Sequence, residues 1–417
     1  MKRIRLGCVA DDFTGASDAA SFLAKSGLET LLICSEPEDE VLISSADAIV
    51  VALKSRTAPA KEAKRASMDA FEWLRKQGCN KFYFKYCSTF DSSEKGNIGV
   101  VTDAFYEKYG VKYTVLCPAL IVNGRTVKDG KLYVGDVLLE NSGMRNHPLT
   151  PMRHSDIKTL IEMQSKYECL VITHEDYMKG KEYILEKISD FGKEREHFHI
   201  SVDFFLPEHG EMIMDIFSDL DFLTGGSGIM EHMSTRYWTK EERSAKNRDE
   251  DEKYSADERR VILAGSCSDM TKKQIRRFKD EFKDAVRIDV ASLKNGETDA
   301  EAIWQTALET CKKDILIYSA DENSVTNDHD PEAAQKIEEC MSKLAKLAAN
   351  SGIKRIVVAG GETSGAVVSA LGLKEFAVLD SVAPGVPKLM PLANPDMRMV
   401  LKSGNFGDEE FFIKALA

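Results

Sequence analysis

Leu6-Gly7-Cys8-Val9-Ala10-Asp11-Asp12-Phe13-Thr14-Gly15 carries the chain from an apolar run through two carboxylates into a small-residue turn. A run of this kind reads as a strand buried on both faces, and the turn delivers it into a helix. Ile356-Val357-Val358-Ala359-Gly360-Gly361-Glu362-Thr363-Ser364-Gly365 repeats the pattern near the other end. Such turns aim backbone N–H groups at a helix start, where an anion is stabilised without any charged side chain. One loop is acidic and the other glycine-rich, which points to two different ligands meeting between two domains.

Working outward, strand-like and helix-like stretches alternate. Residues 4–10, Thr30–Cys34, Ala48–Ala52, Lys81–Lys85 and Tyr113–Cys117 read as strands, with helices over 15–26 and Ala60–Gln77. In the second half, Val261–Ala264, Asp314–Tyr318 and 354–359 are strands, and Thr271–Phe282 is a helix. A further helix starts at Pro331, with Asp330 as its cap. This succession predicts an α/β fold: two domains, each on a mainly parallel sheet flanked by helices, with the active site in the cleft between them.

A chain of 417 residues is too long for one ordinary core. Between residues 239 and 260, fifteen of twenty-two positions are charged and no apolar stripe survives. The expected organisation is therefore a domain over 1–238, a charged linker over 239–260 and a domain over 261–417. A formal net charge of −12 speaks against a nucleic-acid or anionic-membrane partner. Nine cysteines without a Cys-x-x-Cys pair suit reduced thiols in a cytoplasmic protein. Asp11, Asp12 and Asp18 interrupt any signal-peptide core, and no apolar segment is long enough to span a membrane.

The chemistry-bearing residues gather at expected strand ends. In the first domain, either Asp11 or Asp12 can cap the next helix, leaving the other to accept from a sugar hydroxyl or to act as a base. Lys54-Ser55-Arg56 follows a second strand, and Lys85 leads into Tyr86-Cys87-Ser88-Thr89-Phe90-Asp91-Ser92 and Gly96-Asn97. Arginine or lysine facing a small carboxylate is the expected arrangement for an acid substrate. In the second domain, Ala264-Gly265-Ser266-Cys267-Ser268 and Lys402-Ser403-Gly404-Asn405-Phe406-Gly407 join the 360–365 loop as small-residue turns lining one crevice. The 360–365 loop lacks the ending of a P-loop and the Gly-x-Gly-x-x-Gly order of a dinucleotide fold. His197 and His199 lack a third ligand near them in sequence and read as structural, so no resident metal site is expected.

Ala10-Asp11-Asp12-Phe13-Thr14-Gly15-Ala16-Ser17-Asp18 resembles the N-terminal signature of the four-carbon acid sugar kinases. Gly360–Gly365 and Lys402–Gly407 resemble the nucleotide loops of the same family. Tyr86–Ser92 and His147-Pro148-Leu149-Thr150-Pro151-Met152 resemble its branch acting on 3-oxo-tetronates. Ser93-Glu94-Lys95 and Lys388 depart from the family pattern. The resemblance implies an N-terminal sugar-acid domain, a C-terminal nucleotide domain and ATP-dependent phosphorylation of a C4 hydroxyl, with Mg2+ carried by the nucleotide. By motif, Ser266, Gly360, Gly361, Glu362, Thr363 and Gly404 are the ATP positions. On the substrate side the candidates are Asp11, Arg56, Lys85 and Asn97, with Asp12 or Asp91 accepting the hydroxyl proton. The partner is then a small four-carbon sugar acid, and a homodimer is left open. Other readings are a D-threonate or D-erythronate kinase, or a sugar-acid-binding protein without catalysis.

Overall fold

The computed structural model describes residues 3–37, 46–90, 93–146, 150–243, 258–321, 324 and 330–416. Asp91, Ser92, residues 147–149 of the His147–Met152 motif and residues 244–257 of the expected linker lie outside the described residues. The chain divides into two compact units, Met1–Ala245 and Lys246–Ala417.

The first unit opens with β1 (Leu6–Ala10), β2 (Thr30–Ile33), β3 (Ala48–Ala52), β4 (Lys81–Lys85) and β5 (Tyr113–Cys117). An antiparallel insert follows: β6 (Arg125–Lys128), β7 (Lys131–Val134) and β8 (Val137–Leu138). Then β9 (Cys169–Ile172), β10 (Phe198–Val202) and β11 (Phe222–Gly225) complete the main sheet. Its order is β2-β3-β1-β4-β11-β5-β10-β9, with every pairing parallel. β1 is buried along its whole length, as a central strand covered on both faces must be. The helix Phe13–Lys25 lays Ala16, Ala19, Ala20 and Leu23 into the interior, and Asp12 is its cap, accepting from Gly15 N at 3.0 Å. The chain places β2 and β3 on one side of β1 and then crosses to β4 on the other. Open α/β sheets bind ligands at such a reversal, outside the carboxyl ends of the strands.

The second unit repeats the device. Its strands are β12 (Arg260–Ala264), β13 (Ala285–Arg287), β14 (Asp314–Tyr318), β15 (Arg355–Ala359), β16 (Glu375–Ala383), β17 (Val386–Pro391) and β18 (Arg398–Lys402). They run β13-β14-β12-β15-β18-β17-β16, parallel through β18 and antiparallel over β17 and β16. Here the strand order reverses between β12 and β15. Ile262, Phe278, Leu316, Val357, Val400, Phe411 and Phe412 form the core under that reversal. The helix expected from Pro331 runs to Asn350, and Asp330 caps it through Ala333 N at 3.0 Å. The α/β class with two mainly parallel sheets is as expected. The β16–β17 hairpin is an addition, turned at Pro384-Gly385 where Gly385 takes a φ of 79°.

Gly225, ending β11, has a φ of 156°, and an added Cβ would lie 2.1 Å from Cys117 O and 2.6 Å from Tyr83 Oη. Gly225→Ala is expected to destabilise the protein by about 1–3 kcal/mol through overpacking. Urea denaturation reads this directly, and an unchanged midpoint would mean that the strand end relaxes around the methyl group.

Candidate functional site

At the end of β1, Asp11 ties three strands together. Its N–H donates to Lys85 O at 3.0 Å, and its carbonyl accepts from Ser55 N at 2.9 Å and Arg56 N at 3.1 Å. Arg56 grips both carboxylate oxygens, Nε to Oδ2 at 3.1 Å and Nη2 to Oδ1 at 2.8 Å. The same Nη2 reaches Asp12 Oδ1 at 2.6 Å. Asp11 is buried, whereas the Asp12 side chain keeps 29% of its surface and Arg56 20%. Burial pushes the Asp11 carboxyl above its usual range, and Arg56 opposes that push. Asp12, not Asp11, is the helix cap, so the two adjacent carboxylates have different surroundings.

Lys85 lies buried behind them. Its Nζ donates to Tyr86 O at 3.0 Å and stands 3.8 Å from Asp18 Oδ2. Gly15 has no side chain for a visible reason: a Cβ there would lie 2.4 Å from Asp12 Oδ1 and 3.1 Å from Lys85 Nζ. Asn97 turns its amide onto the loop after β3, donating to Ser55 O at 2.7 Å and Ala58 O at 2.9 Å. Asp11, Asp12, Arg56 and Lys85 thus form one connected group, which Asn97 joins by donating to Arg56 O at 3.3 Å.

Two further residues beside this group, Asp18 and Ser227, were not legible in sequence. Asp18 is buried in the first helix, and its Oδ2 accepts from Ser227 Oγ. Burial pushes its carboxyl upward, against the lowering effects of Lys85 and Ser227. Ser227 arrives on Gly225-Gly226-Ser227-Gly228, a glycine loop at the end of β11 that could have been noticed as such. Asp18 Oδ1, Ser55 Oγ and Asn97 Oδ1 are buried without a hydrogen-bond partner. Buried polar atoms nearly always have partners. Asp18 Oδ1 and Asn97 Oδ1 can only accept, so the chemistry that would satisfy them is a hydroxyl donor.

In the second unit, loops from the adjacent strands β12, β15 and β18 interlock. Gly265 N and Ser266 N both donate to Ala359 O, at 3.0 and 3.1 Å, and Gly360 N donates to Lys402 O at 2.9 Å. Thr271 Oγ1 bonds Gly404 O at 2.9 Å, and Gln274 Nε2 holds Phe406 O and Asp408 O at 3.0 and 2.9 Å. A Cβ on Gly360 would lie 2.8 Å from Thr363 Oγ1, and one on Gly404 2.5 Å from Ser266 Oγ. Gly360 thus packs against Thr363 and Ser266, and Gly404 against Ser266. Gly361 and Glu362 begin the helix Gly361–Ala370, whose start has no capping side chain. Its first N–H groups are left for an anion. The backbone-rich, weakly charged cradle fits a polyphosphate.

The histidines are engaged structurally. His199 is fully buried against Tyr106 Oη at 3.0 Å and Ser165 Oγ at 2.7 Å, and His197 Nδ1 bonds Val111 O at 2.7 Å. Among the described residues, no helix is long and apolar enough to cross a membrane.

Residues 6–233 match the sugar-binding N-terminal domain, and residues 261–412 match the nucleotide-binding C-terminal domain. The chain is 38% identical over 414 residues to a 3-oxo-tetronate kinase of Haemophilus influenzae, covering 98% of each. It is 40% identical over 421 residues to a 3-oxo-tetronate kinase of Brucella melitensis, covering 99% of this chain and 95% of that one. A Salmonella typhimurium crystal structure, provisionally described as a tRNA synthase, superposes with a TM-score of 0.87 at 38% identity, covering 99% of this chain and 98% of that one. This chain belongs to the family that joins a sugar-binding N-terminal domain to a nucleotide-binding C-terminal domain, the family that includes the 3-oxo-tetronate kinases.

Proposed function

We propose that this protein is an ATP-dependent kinase that phosphorylates the C4 hydroxyl of a four-carbon sugar acid, 3-oxo-tetronate before D-threonate or D-erythronate. The observation that carries the reading is end-to-end similarity to relatives named for that reaction, spanning both domains. The two clusters have the complementary chemistry a phosphoryl transfer needs: charged side chains in one unit and a backbone cradle in the other.

Phosphoryl transfer depends on positioning and charge neutralisation more than on covalent chemistry. ATP supplies the transferred group, with Mg2+ neutralising its phosphates. Ser266, Gly360, Gly361, Thr363 and Gly404 would hold the phosphates through backbone N–H groups and hydroxyls, with Glu362 at the same helix start. Lys85 and Arg56 would hold the substrate carboxylate, and Asp11 keeps Arg56 charged and aimed. Asn97 shapes the floor through the 55–58 loop. Asp12, the more exposed of the two adjacent carboxylates, would orient the C4 hydroxyl and accept its proton, with Asp91 as the other candidate for that role.

ADP release with ATP and Mg2+ across 3-oxo-tetronates, D-threonate, L-threonate and D-erythronate tests the reaction. Turnover is expected on the 3-oxo acid and abolished by EDTA; turnover confined to a reduced acid would discard the branch assignment. Asp12→Asn keeps an oxygen for the helix cap, so the fold should survive. Its kcat is expected to fall by about 10²–10⁴-fold with little change in the KM for ATP. A near-parental kcat would remove Asp12 from the role and leave Asp91.

A further inference from the structure

Lys402, the last residue of β18, is the buried amine around which the loops after β12, β15 and β18 close, and nothing proposed above uses it. Its side chain is 1% exposed. Nζ bonds Thr271 Oγ1 at 3.0 Å and Gly404 O at 2.9 Å, and the Phe411 and Phe412 rings stand 5.7 and 5.9 Å away. Thr271 also bonds Ser268 Oγ, and Gly404 is the glycine packed against Ser266 Oγ. The amine therefore sits at the junction of the loops proposed to hold phosphate.

Two oxygen partners suit the two N–H bonds of a neutral amine. A third N–H, present only in the ammonium form, has no acceptor among the described residues. No carboxylate pairs with Lys402 there either. On the helix Asp269–Phe282, Asp269 is exposed, and Arg277 is bonded to Glu410 at 2.6 Å. In the segment after Gly404, Asp408 is bonded to Lys414, and Glu409 lies 3.8 Å from Lys273. Glu362, on the helix after β15, is exposed, and on β17 Lys388 faces Val400. Burial alone pulls the Lys402 amine down, to about 7.

We infer that Lys402 is a latent positive charge of the nucleotide site: seating a polyphosphate on the Ser266, Gly360 and Gly404 loops draws a proton onto its Nζ. The inference rests on the nucleotide reading above and adds a proton to it. An amine kept from water without a counter-ion favours its neutral form, and a multiply negative neighbour reverses that preference. The proton comes from solvent and binds the amine lone pair. Lys402 is thus a positioning residue, acting through Thr271, Gly404 and its own field.

Isothermal titration of the full chain with MgADP at about pH 8, where ADP is fully ionised, tests this in two phosphate-free buffers of different ionisation heat. Proton uptake approaching one per ADP is expected, together with an ADP Kd that rises toward tenfold per pH unit above about pH 7. Binding with a buffer-independent heat and a flat pH profile would overturn the inference while leaving the nucleotide site intact. Absence of ADP binding would overturn the site reading as well. Lys402→Met should bind ADP more weakly and without proton uptake; uptake equal to the parent's would assign the proton elsewhere.

A second readout needs no ligand. The unfolded chain holds this proton up to about 10.5, whereas the folded chain releases it at about 7. Between those values the unfolded state binds more protons, so stability rises with pH through that window, and the gain is lost as pH falls toward 7. The parent should show this rise relative to Lys402→Met, and parallel pH–stability curves would overturn the inference.

Discussion

The Asp11 carboxylate, buried at the end of β1, is the constraint on which the first cluster depends. Taking a carboxylate out of water is costly, and Arg56 offsets the cost by meeting both oxygens. The backbone of Asp11 meanwhile fastens Ser55 and Arg56 on one side and Lys85 on the other. Once that knot is formed, the positions of Asp12, Arg56 and Lys85 cannot vary independently. Removing one member of such a buried pair typically costs about 3–5 kcal/mol, because its partner is left uncompensated.

Charge within this cluster is not balanced. Asp11, Asp12 and Asp18 face Arg56 and Lys85, so the fully ionised set is one negative charge in excess. Burial pushes both Asp11 and Asp18 toward their neutral forms. A cluster that gives up negative charge readily is compatible with an anionic sugar acid, which a fixed excess of carboxylate would repel. Under the proposed reading, the hydroxyl groups of the sugar acid would meet the unpartnered oxygens of Asp18, Ser55 and Asn97.

The strand ends were legible in sequence because parallel strands leave continuous apolar runs, and both reversal points place their loops where those runs stop. Asp11, Asp12, Arg56 and Lys85 could be collected on that basis alone. Asp18 could not, because its partner Ser227 lies 209 residues away and an aspartate in a helix ordinarily reads as solvated. Asn97 was found for its position after a glycine, yet its amide serves the 55–58 loop and not the helix it precedes. Lys402 was seen as the first residue of a loop, whereas β18 carries it inward as the last residue of a buried strand. The antiparallel β16–β17 hairpin is hidden in sequence because Pro384, Gly385 and Pro387 read as turn residues.

The two units present different electrostatics at the carboxyl ends of their parallel strands. The first gathers charged side chains around Arg56, and arginine suits it because a guanidinium stays protonated while it bridges two carboxylates. The second offers peptide N–H groups and hydroxyls, with a single buried amine behind them. Lysine is the residue that allows this, since it can shed its proton when nothing negative is near. An arginine at position 402 would stay charged at every accessible pH, without a carboxylate to meet it among the described residues. It would also need acceptors for five N–H bonds where Thr271 and Gly404 provide two oxygens. Lysine at the end of β18 therefore suits a position with two oxygen acceptors and, among the described residues, no carboxylate partner.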